Sequence, residues 1–291
     1  MRRQEGRVDL HVHTTASDGT QTPTEVVEEA LKKGLLAIAI TDHDSIDGLK
    51  EALEAGRRMG VEVIPGVEIN AQHEGKEAHI LGYFVELGDT PLSRTLERLR
   101  RGRLERIRKI VSKLNGLGVG ITVEDVLAFA DKDGSLGRPH VARAIAAKGY
   151  AKNASEAFAK FLDKDKPAYV PRPKLTPHEA VSVIVDAGAV PVLAHPAVAG
   201  HWEGLIRELM ALGLRGIEAY HPDHTPDQAE KYRGLAERLG LIVTGGSDAH
   251  GPSAVRAIEV GEVTMPYSVV LRLKEARNEI RRRRRIACSA P

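Results

Sequence analysis

Two histidines, His11 and His13, stand at the end of a short run, 8–13, in which polar and apolar residues alternate. Alternate side chains of a β-strand share a face, so Asp9, His11 and His13 point one way and the apolar residues between them the other way. Two neutral imidazoles held side by side can chelate a metal ion. An H-x-H triplet also occurs by chance on surface strands, so this interpretation needs partners elsewhere in the chain.

Nearly every strand candidate, the first run included, ends in or is followed by a histidine, aspartate or glutamate that could bind a metal ion. Loops at the carboxyl ends of the strands form the active site in parallel β/α folds, so these residues are expected to converge. An isolated histidine at a strand end is more often structural, but their joint occurrence favours a metal centre. The residues are His11, His13, Asp18, His43, Glu68, His79, His195, His221, Asp248 and His250.

The ligand types restrict the metal and the reaction. The single cysteine, Cys288, excludes a thiolate cluster, and imidazole with carboxylate suits Zn, Mn or Fe(II) without choosing among them. So many ligands exceed the need of one ion, so two or three divalent ions are expected, with Glu68 as the bridge. Clustered ions stabilise an attacking hydroxide and a developing anionic leaving oxygen, which is the chemistry of phosphoester hydrolysis.

Strands and capped helices that alternate along the chain would position these residues. Threonine followed by proline, with Glu or Gln at the third helical position, predicts helices starting at Thr22, Thr176 and Thr225 and closing near glycines 34, 188 and 240. This rhythm is typical of an α/β barrel or a doubly wound sheet, and seven strands without a dinucleotide glycine motif favour the barrel. The predicted strands are 8–13, 35–42, 61–67, 78–85, 189–195, 215–221 and 241–247.

The middle of the chain breaks the rhythm and predicts a helical insertion. Apolar residues from Leu92 to Leu114 trace one face of a long helix, and helical segments follow at 122–131, 139–149 and 154–163. The proline-rich stretch 166–173 is expected to lead back to the barrel. The predicted organisation is a first barrel part, 1–91, a helical insertion acting as a lid, 92–176, and a second barrel part with a basic C-terminal helix, 177–291.

Composition is ordinary for a soluble globular protein. The 291 residues are 42% hydrophobic and 28% charged, with a formal net charge of +2. The start lacks an apolar h-region, and no run reaches membrane-spanning length. We therefore expect a cytoplasmic protein with no membrane partner and no obligate protein partner.

The motifs together resemble the PHP (polymerase and histidinol phosphatase) family. They are residues 9–14 (DLHVHT), 18–19 (DG), 41–43 (TDH), 65–68 (PGVE), 194–196 (AHP) and 246–250 (GSDAH). The resemblance covers roughly 8–90 and 177–262 and implies a distorted seven-stranded β/α barrel with a trinuclear metal centre. It implies one ion held by His11, His13, Glu68 and Asp248, a second by Glu68, His79 and His195, and a third by Asp18, His43 and His250.

A finer resemblance, to the TrpH-like branch, comes from residues 137–143 (GRPHVAR), 168–172 (AYVPR) and 218–222 (EAYHP). That branch includes nucleoside 3′,5′-bisphosphate phosphatases, also described as RNase AM-type 5′→3′ exoribonucleases, in which a helical lid supplies phosphate-binding residues. Arg138 and Arg172 are fork-shaped donors suited to a second phosphate, although ordinary surface arginines are the alternative. His140 and His221 could bind phosphate or protonate a leaving group. The predicted substrate-binding residues are Arg138, His140, Tyr169, Arg172 and His221, with His140 and His221 as the catalytic pair.

The leading hypothesis is a metal-dependent phosphoesterase that removes the 3′-phosphate of a nucleoside 3′,5′-bisphosphate. Short 5′-phosphorylated RNA is a further expected substrate, a metal-bound hydroxide is the expected nucleophile, and manganese is the favoured metal, with zinc or iron as alternatives. Another PHP phosphomonoesterase, such as a histidinol phosphatase, is the nearest alternative, but the two arginines favour a substrate with two phosphates. A non-catalytic PHP module is the second alternative, and the complete ligand set speaks against it.

Two basic runs have simpler explanations. Arginines and lysines dominate residues 94–113, where a solvated face of an amphipathic helix is favoured over a nucleic-acid surface because no aromatic stacking platform accompanies it. Arginines 281–285 form a second cluster on a predicted terminal helix, and such runs are usually solvated.

Overall fold

The fold is described from a computed structural model, which covers residues 6–129, 136–172, 174–199, 203–254 and 257–289. Two compact units divide the chain. The first contains Met1–Thr95 and Leu175–Pro291, and the second is Leu96–Lys174. The insertion was predicted at 92–176, which differs from the second unit by a few residues at each end.

A curved sheet of eight strands forms the centre of the first unit. Its order is β7-β6-β5-β4-β3-β2-β1-β8. The open side is nearly closed by the segment after β7, because His13 donates a backbone hydrogen bond to the oxygen of Ala249 at 2.9 Å and Asp248 donates one to His11 at 2.8 Å. The strands are β1 (Arg7–Val12), β2 (Ala37–Ile40), β3 (Glu62–His73), β4 (Lys76–Tyr83), β5 (Val190–Leu193), β6 (Gly216–Tyr220), β7 (Ile242–Gly245) and β8 (Met265–Pro266).

The predicted α/β barrel is confirmed, with one strand more than expected. The additional strand, β8, has two residues and pairs antiparallel with β1, where Arg7 lies opposite Pro266. A two-residue strand carries too little alternation to be seen as a pattern. The other predicted strands are present, although β2 is shorter than the predicted 35–42.

The strands are not all parallel, which corrects the sequence interpretation. β3 and β4 form an antiparallel hairpin in which Glu68 lies opposite Leu81, and β4 is also antiparallel to β5. β3 therefore extends to His73, well beyond the predicted 61–67. The turn holds Glu74 and Gly75 at positive φ, 48° and 81°, and glycine adopts this conformation without steric cost.

Helices flank the strands and confirm the predicted starts. Capping boxes join Thr22 to Glu25, Thr176 to Glu179 and Thr225 to Gln228. None of the helices that the structure describes is long and apolar enough to cross a membrane. The helices are α1 (Pro23–Lys32), α2 (Leu49–Met59), α3 (Pro91–Gly116), α4 (Val123–Leu127), α5 (Arg138–Ala147), α6 (Ala154–Ala157), α7 (Pro177–Asp186), α8 (Pro196–Ala199), α9 (Glu203–Leu212), α10 (Pro226–Leu239) and α11 (Ser268–Ser289).

The second unit is helical and has a core of its own. Ile107, Ile110 and Leu114 of α3 are buried with Val141 and Ile145 of α5. The predicted segment 139–149 is α5, and 154–163 is α6 followed by a π-helical turn, Phe158–Leu162. The segment 122–131 is observed only as α4, since 130–135 lie outside the described residues. The stretch 166–172 contains no regular element, and Pro173 also lies outside the described residues.

Candidate metal centre

The barrel brings all nine predicted ligands into one cluster. His11 and Glu68 lie on β1 and β3, His79 lies on β4, and the others occupy the loops that follow β1, β2, β5 and β7. The nine residues belong to overlapping groups whose ligand atoms lie within 4.8 Å of one another: His13 with Asp18, His43 and His250; His11 and His13 with Glu68 and Asp248; His43 with Glu68 and His79; and His11 with His195 and Glu218.

Glu68 is the centre of this cluster, and its two oxygens face different histidines. The carboxylate is buried. Its Oε2 lies 3.1 Å from His11 Nε2, 3.2 Å from His13 Nε2 and 3.0 Å from His43 Nδ1. Its Oε1 lies 2.8 Å from His79 Nδ1 and 3.0 Å from His195 Nε2. A carboxylate whose two oxygens face different sets of histidines has the geometry of a bridge between two metal ions.

The predicted assignment of ligands to ions agrees in part with these groups. The set of His11, His13, Glu68 and Asp248 occurs as predicted, and Asp18, His43 and His250 lie together, with His13 as a fourth member. His79 and His195 both approach the same oxygen of Glu68. His43 is also close to that second group, so its assignment to a single ion stays a prediction.

Donor chemistry and spacing fit divalent ions. Ligand atoms about 2.1 Å from a shared ion are roughly 3 Å apart, and the separations around Glu68 are of this size. Four buried polar atoms of this cluster lack a hydrogen-bond partner among the described residues, and buried polar groups rarely stay unpaired. They are His13 Nδ1, His43 Nδ1, His79 Nε2 and Asp248 Oδ1.

Charge accumulates in the cluster to a degree that requires compensation. Burial opposes protonation of His13, but the carboxylates of Asp248 and Glu68 outweigh it and raise the pKa of His13 to about 10. Burial alone would raise the pKa of Glu68, but His43, His11 and His79 outweigh this effect and hold the pKa well below its usual range. A proton on His13 therefore offsets part of the carboxylate charge, and a bound cation would take its place.

Two candidate ligands sit on strained backbone. His195 has φ of 23° and Asp248 has φ of 53°. Residues other than glycine rarely adopt this left-handed region, and each such residue costs on the order of 1–3 kcal/mol unless its surroundings impose it. This strain sits where two loops aim ligands into the cluster, as is common at functional sites.

Glu218, on β6, supports two ligands and was missed by the sequence analysis. Its oxygens lie 3.0 and 3.2 Å from His11 Nδ1, and Oε2 accepts the backbone N–H of His195 at 2.9 Å. The nitrogen of His11 on the other side of the ring therefore faces Glu68. A carboxylate in the middle of an otherwise apolar strand, 216–220, is the signal that could have revealed it.

Two further buried carboxylates fix the loops that carry ligands. Asp9 accepts backbone N–H groups from Ser247 at 2.9 Å and Gly261 at 2.8 Å, and burial raises its pKa to about 6. Asp42 accepts the backbone N–H of Thr14 at 2.7 Å and the hydroxyl of Ser17 at 2.7 Å. Asp9 therefore connects the loop after β7 with residue 261, and Asp42 connects the loop after β2 with the loop after β1.

His221 joins the cluster of candidate ligands rather than standing apart from it. It is buried, its Nε2 lies 3.2 Å from Asp248 Oδ2, and its ring centroid is 5.0 Å from that of His195. Its Nδ1 accepts the backbone N–H of Asp223 at 3.0 Å, so in the neutral ring the proton is on Nε2. A proton on that nitrogen faces the cluster.

The other predicted substrate residues belong to the second unit. Arg138 donates to the oxygen of Leu162 at 2.9 Å, and its guanidinium lies over the rings of Phe158 and Tyr169 at 5.7 and 5.4 Å. His140 Nδ1 accepts the backbone N–H of Gly137 at 3.0 Å, so only Nε2 of the neutral ring carries a proton.

A buried arginine, Arg106, accompanies them and was also missed. It donates to the oxygen of Val170 at 2.7 Å. Burial, with Arg138 and Arg172 nearby, lowers the pKa of Arg106 to about 10. The sequence analysis placed Arg106 on a solvated helix face, which is wrong for Arg103 and Arg106 because both are buried. Arg106, Arg138 and Arg172 interact electrostatically, and several guanidinium groups together are suited to binding an anion.

Comparison with known proteins agrees with this chemistry. A family model described as PHP domain matches residues 9–87. The chain is 34% identical to a 3′,5′-nucleoside bisphosphate phosphatase of Chromobacterium violaceum over 84% of this chain and 87% of the relative. It is 36% identical to a phosphoribosyl 1,2-cyclic phosphate 1,2-diphosphodiesterase of Eggerthella lenta, over 84% of this chain and 94% of the relative.

A third relative and a crystal structure extend the comparison. The chain is 34% identical to a 5′-3′ exoribonuclease of Haemophilus influenzae over 84% of this chain and 90% of the relative. A crystal structure from Bifidobacterium adolescentis, assigned as a metal-dependent phosphoesterase, superposes with a TM-score of 0.75 at 34% identity. That superposition covers 92% of this chain and 96% of the other.

Proposed function

The chain belongs to the PHP family of metal-dependent phosphoesterases, and from this premise we propose that it removes the 3′-phosphate of nucleoside 3′,5′-bisphosphates. The observation that carries the substrate is the arginine group of the second unit, where buried Arg106 donates to the oxygen of Val170 and Arg138 lies over the ring of the preceding Tyr169. A group of this charge is suited to the phosphate that is not cleaved. The similar phosphatase of Chromobacterium violaceum supports the same substrate class.

We propose that the nine clustered side chains hold two or three divalent ions, with manganese as the first candidate. Bound ions would neutralise charge on the phosphoryl group and favour an activated water. Glu68 positions both sides of the cluster, and Glu218 fixes His11 from behind. These contacts hold the candidate ligands in the arrangement that bound ions would share.

His221 is proposed to bind the phosphoryl group or the leaving oxygen through a hydrogen bond from its Nε2–H group. Its buried ring points Nε2 into the cluster beside Asp248, and Nδ1 is fixed by a backbone hydrogen bond. This fixed tautomer lets the Nε2–H group donate a hydrogen bond at the cluster. Tyr169 and His140, with the arginines, are proposed to bind substrate.

Short 5′-phosphorylated RNA is proposed as a second substrate. It presents the same arrangement as a bisphosphate, a 5′-phosphate with a phosphoester at the 3′ position. The similar exoribonuclease of Haemophilus influenzae supports this extension.

The decisive experiment compares substrates on protein loaded with Mn²⁺. We expect phosphate release from adenosine 3′,5′-bisphosphate, slower release from 3′-AMP, and none from histidinol phosphate. Arg138→Gln should raise KM for the bisphosphate about tenfold, since hydrogen bonds to charged groups contribute about 1.5–3 kcal/mol, and should leave KM for 3′-AMP unchanged. Arg143→Gln, an exposed position on the same helix, is the matched control.

A second candidate function is hydrolysis of a ribose cyclic phosphate. The similarity to the Eggerthella lenta diphosphodiesterase is as extensive as that to the bisphosphate phosphatase. Faster turnover of phosphoribosyl 1,2-cyclic phosphate than of the bisphosphate, with no effect of Arg138→Gln on the preference, would favour it and contradict the leading proposal.

A further inference from the structure

Positive charge is concentrated on the last helix of the first unit. Arg281–Arg285 occupy five consecutive positions of α11, and Arg282, Arg283, Arg284 and Arg285 are exposed. The helical rise gives one positive charge per about 1.5 Å of axis. Because the helix has 3.6 residues per turn, only part of this charge faces any one side, and the exposed Arg282 and Arg283 present two adjacent cations to a phosphate backbone.

The helix itself does not need this charge. Cations stabilise a helix only within its last turn, and the last turn of α11 contains no basic residue. Like charges three and four positions apart destabilise a helix, and Arg281 stands in this relation to Arg284 and Arg285. The run therefore costs stability in the isolated protein.

Contacts within the protein neutralise part of this charge. Arg281 pairs with Glu86 at 2.5 Å and donates to the oxygen of Gly188 at 3.3 Å. Within the part of the chain that the structure describes, no ion pair involves Arg282 or Arg283. Their guanidinium groups face solvent, where an external anion can reach them.

This surface lies at the end of the barrel opposite the metal centre. Gly188 precedes β5, whereas the candidate ligand His195 follows it. Glu86 follows β4, which runs antiparallel to β5 and so ends where β5 begins. A polyanion bound at Arg282 and Arg283 is therefore held away from the clustered ligands.

We propose that Arg282 and Arg283, with the neighbouring arginines, bind the phosphate backbone of RNA as an anchoring surface separate from the catalytic centre. A fork-shaped guanidinium suits phosphate oxygens. Insertion of this helix into a membrane interface would require an apolar face, but among the described side chains of residues 281–286 only Ile286 is exposed and apolar. The proposal does not depend on which phosphoester the metal centre hydrolyses.

The test uses a fluorescent circular RNA of 30 nucleotides, which offers no 5′ end to the catalytic centre. Binding to the full-length, Mn²⁺-loaded protein is followed by anisotropy between 50 and 200 mM KCl. Arg282→Gln/Arg283→Gln should weaken binding roughly tenfold and flatten the slope of log K against log salt by about 1.4, which is about 0.7 for each lost contact. Arg57→Gln/Arg58→Gln, an adjacent exposed pair on α2, should change neither.

Hydrolysis of the nucleoside bisphosphate should be equal in both double variants, which separates this proposal from the proposed activity. Equal loss of RNA binding in the two variants would show general charge attraction and overturn the anchoring surface. Absence of RNA binding by the unaltered protein, or arginine-dependent sedimentation with phosphatidylglycerol vesicles instead, would overturn it as well.

Discussion

At the scale of single residues, the ligand cluster was accessible from the sequence because strand ends converge in a barrel. The chemical types of His11, Glu68 and Asp248, combined with strand-end positions, were enough to predict that they meet. The sequence analysis missed Glu218 because it lies within an apolar strand. It missed Arg106 because this arginine is one of many basic residues on its helix. Burial of a charged group decides its role, and burial depends on tertiary packing.

Glu218→Gln should weaken metal binding without removing a predicted ligand. An amide keeps the volume but loses the charge that faces His11 Nδ1 at 3.0 Å. Outer-shell changes of this kind typically cost 10–100-fold in metal affinity, and we expect about tenfold here. Competition with a chromophoric chelator measures it. Glu230→Gln, an exposed position on α10, is the control, and equal affinities in both variants would contradict the supporting role.

Metal uptake should release protons. The pKa of His13 is raised to about 10 in the metal-free site, so at neutral pH its imidazole is protonated and a cation must displace that proton. Affinity should therefore rise as pH increases from 6 to 8, by about tenfold per pH unit for each proton released. Calorimetric titration of Mn²⁺ in buffers of different ionisation enthalpy reports the proton number. A heat of binding that is the same in all buffers would refute this.

At the scale of elements, local chemistry predicted helix starts better than strand direction. The capping boxes at Thr22, Thr176 and Thr225 depend on residues within one turn, so they are visible in a sequence. The direction of β4 depends on a hairpin turn at residues 74–75 and on pairing with β5, which lies more than a hundred positions away. Long-range pairing leaves no local pattern.

Gly246 lies at a close approach between two ligand-bearing elements, β1 and the loop after β7. A Cβ there would lie 2.4 Å from the backbone nitrogen of His11, which is too close to be accommodated without moving β1 or the loop after β7. We expect Gly246→Ala to reduce unfolding free energy by about 2–3 kcal/mol, as overpacking typically does, and to lower the bound metal content.

Urea unfolding and elemental analysis measure these two effects. Gly234→Ala is the control, because a Cβ in that part of α10 meets only the end of Arg238 at 3.6 Å. It should stabilise the protein by about 0.5–1 kcal/mol through helix propensity. A folded Gly246→Ala variant with full metal content would contradict the close-packing argument.

At the scale of the whole molecule, the sequence predicted a barrel interrupted by a helical segment, and the structure contains two units with separate cores. Hydrophobic periodicity made this division visible because the strand–helix rhythm stops near residue 91. The composition of each core could not be derived, since buried residues such as Ile110 and Val141 are brought together by helix packing rather than by spacing.

Removing metal should destabilise the first unit. An ion that binds only the folded state at 100 times its Kd contributes about 2.7 kcal/mol. For a unit of this size, about 2–4 °C per kcal/mol gives a fall in Tm of roughly 5–10 °C on chelation. Calorimetry with Mn²⁺ and with EDTA tests this. Identical melting curves would show that the cluster binds no ion under these conditions.

The closing contact between the first strand and the loop after β7 also sets a time of assembly. Asp248 follows His11 by 237 positions, and its backbone N–H binds the oxygen of His11. At about 5–20 residues per second, a ribosome needs roughly 12–47 seconds to synthesise the intervening chain. A nascent chain that already contains residues 9–87 thus exposes histidines that cannot yet share an ion with Asp248. The complete ligand set therefore becomes available to metal ions only late in biosynthesis. A chain truncated before Asp248 never acquires the complete set.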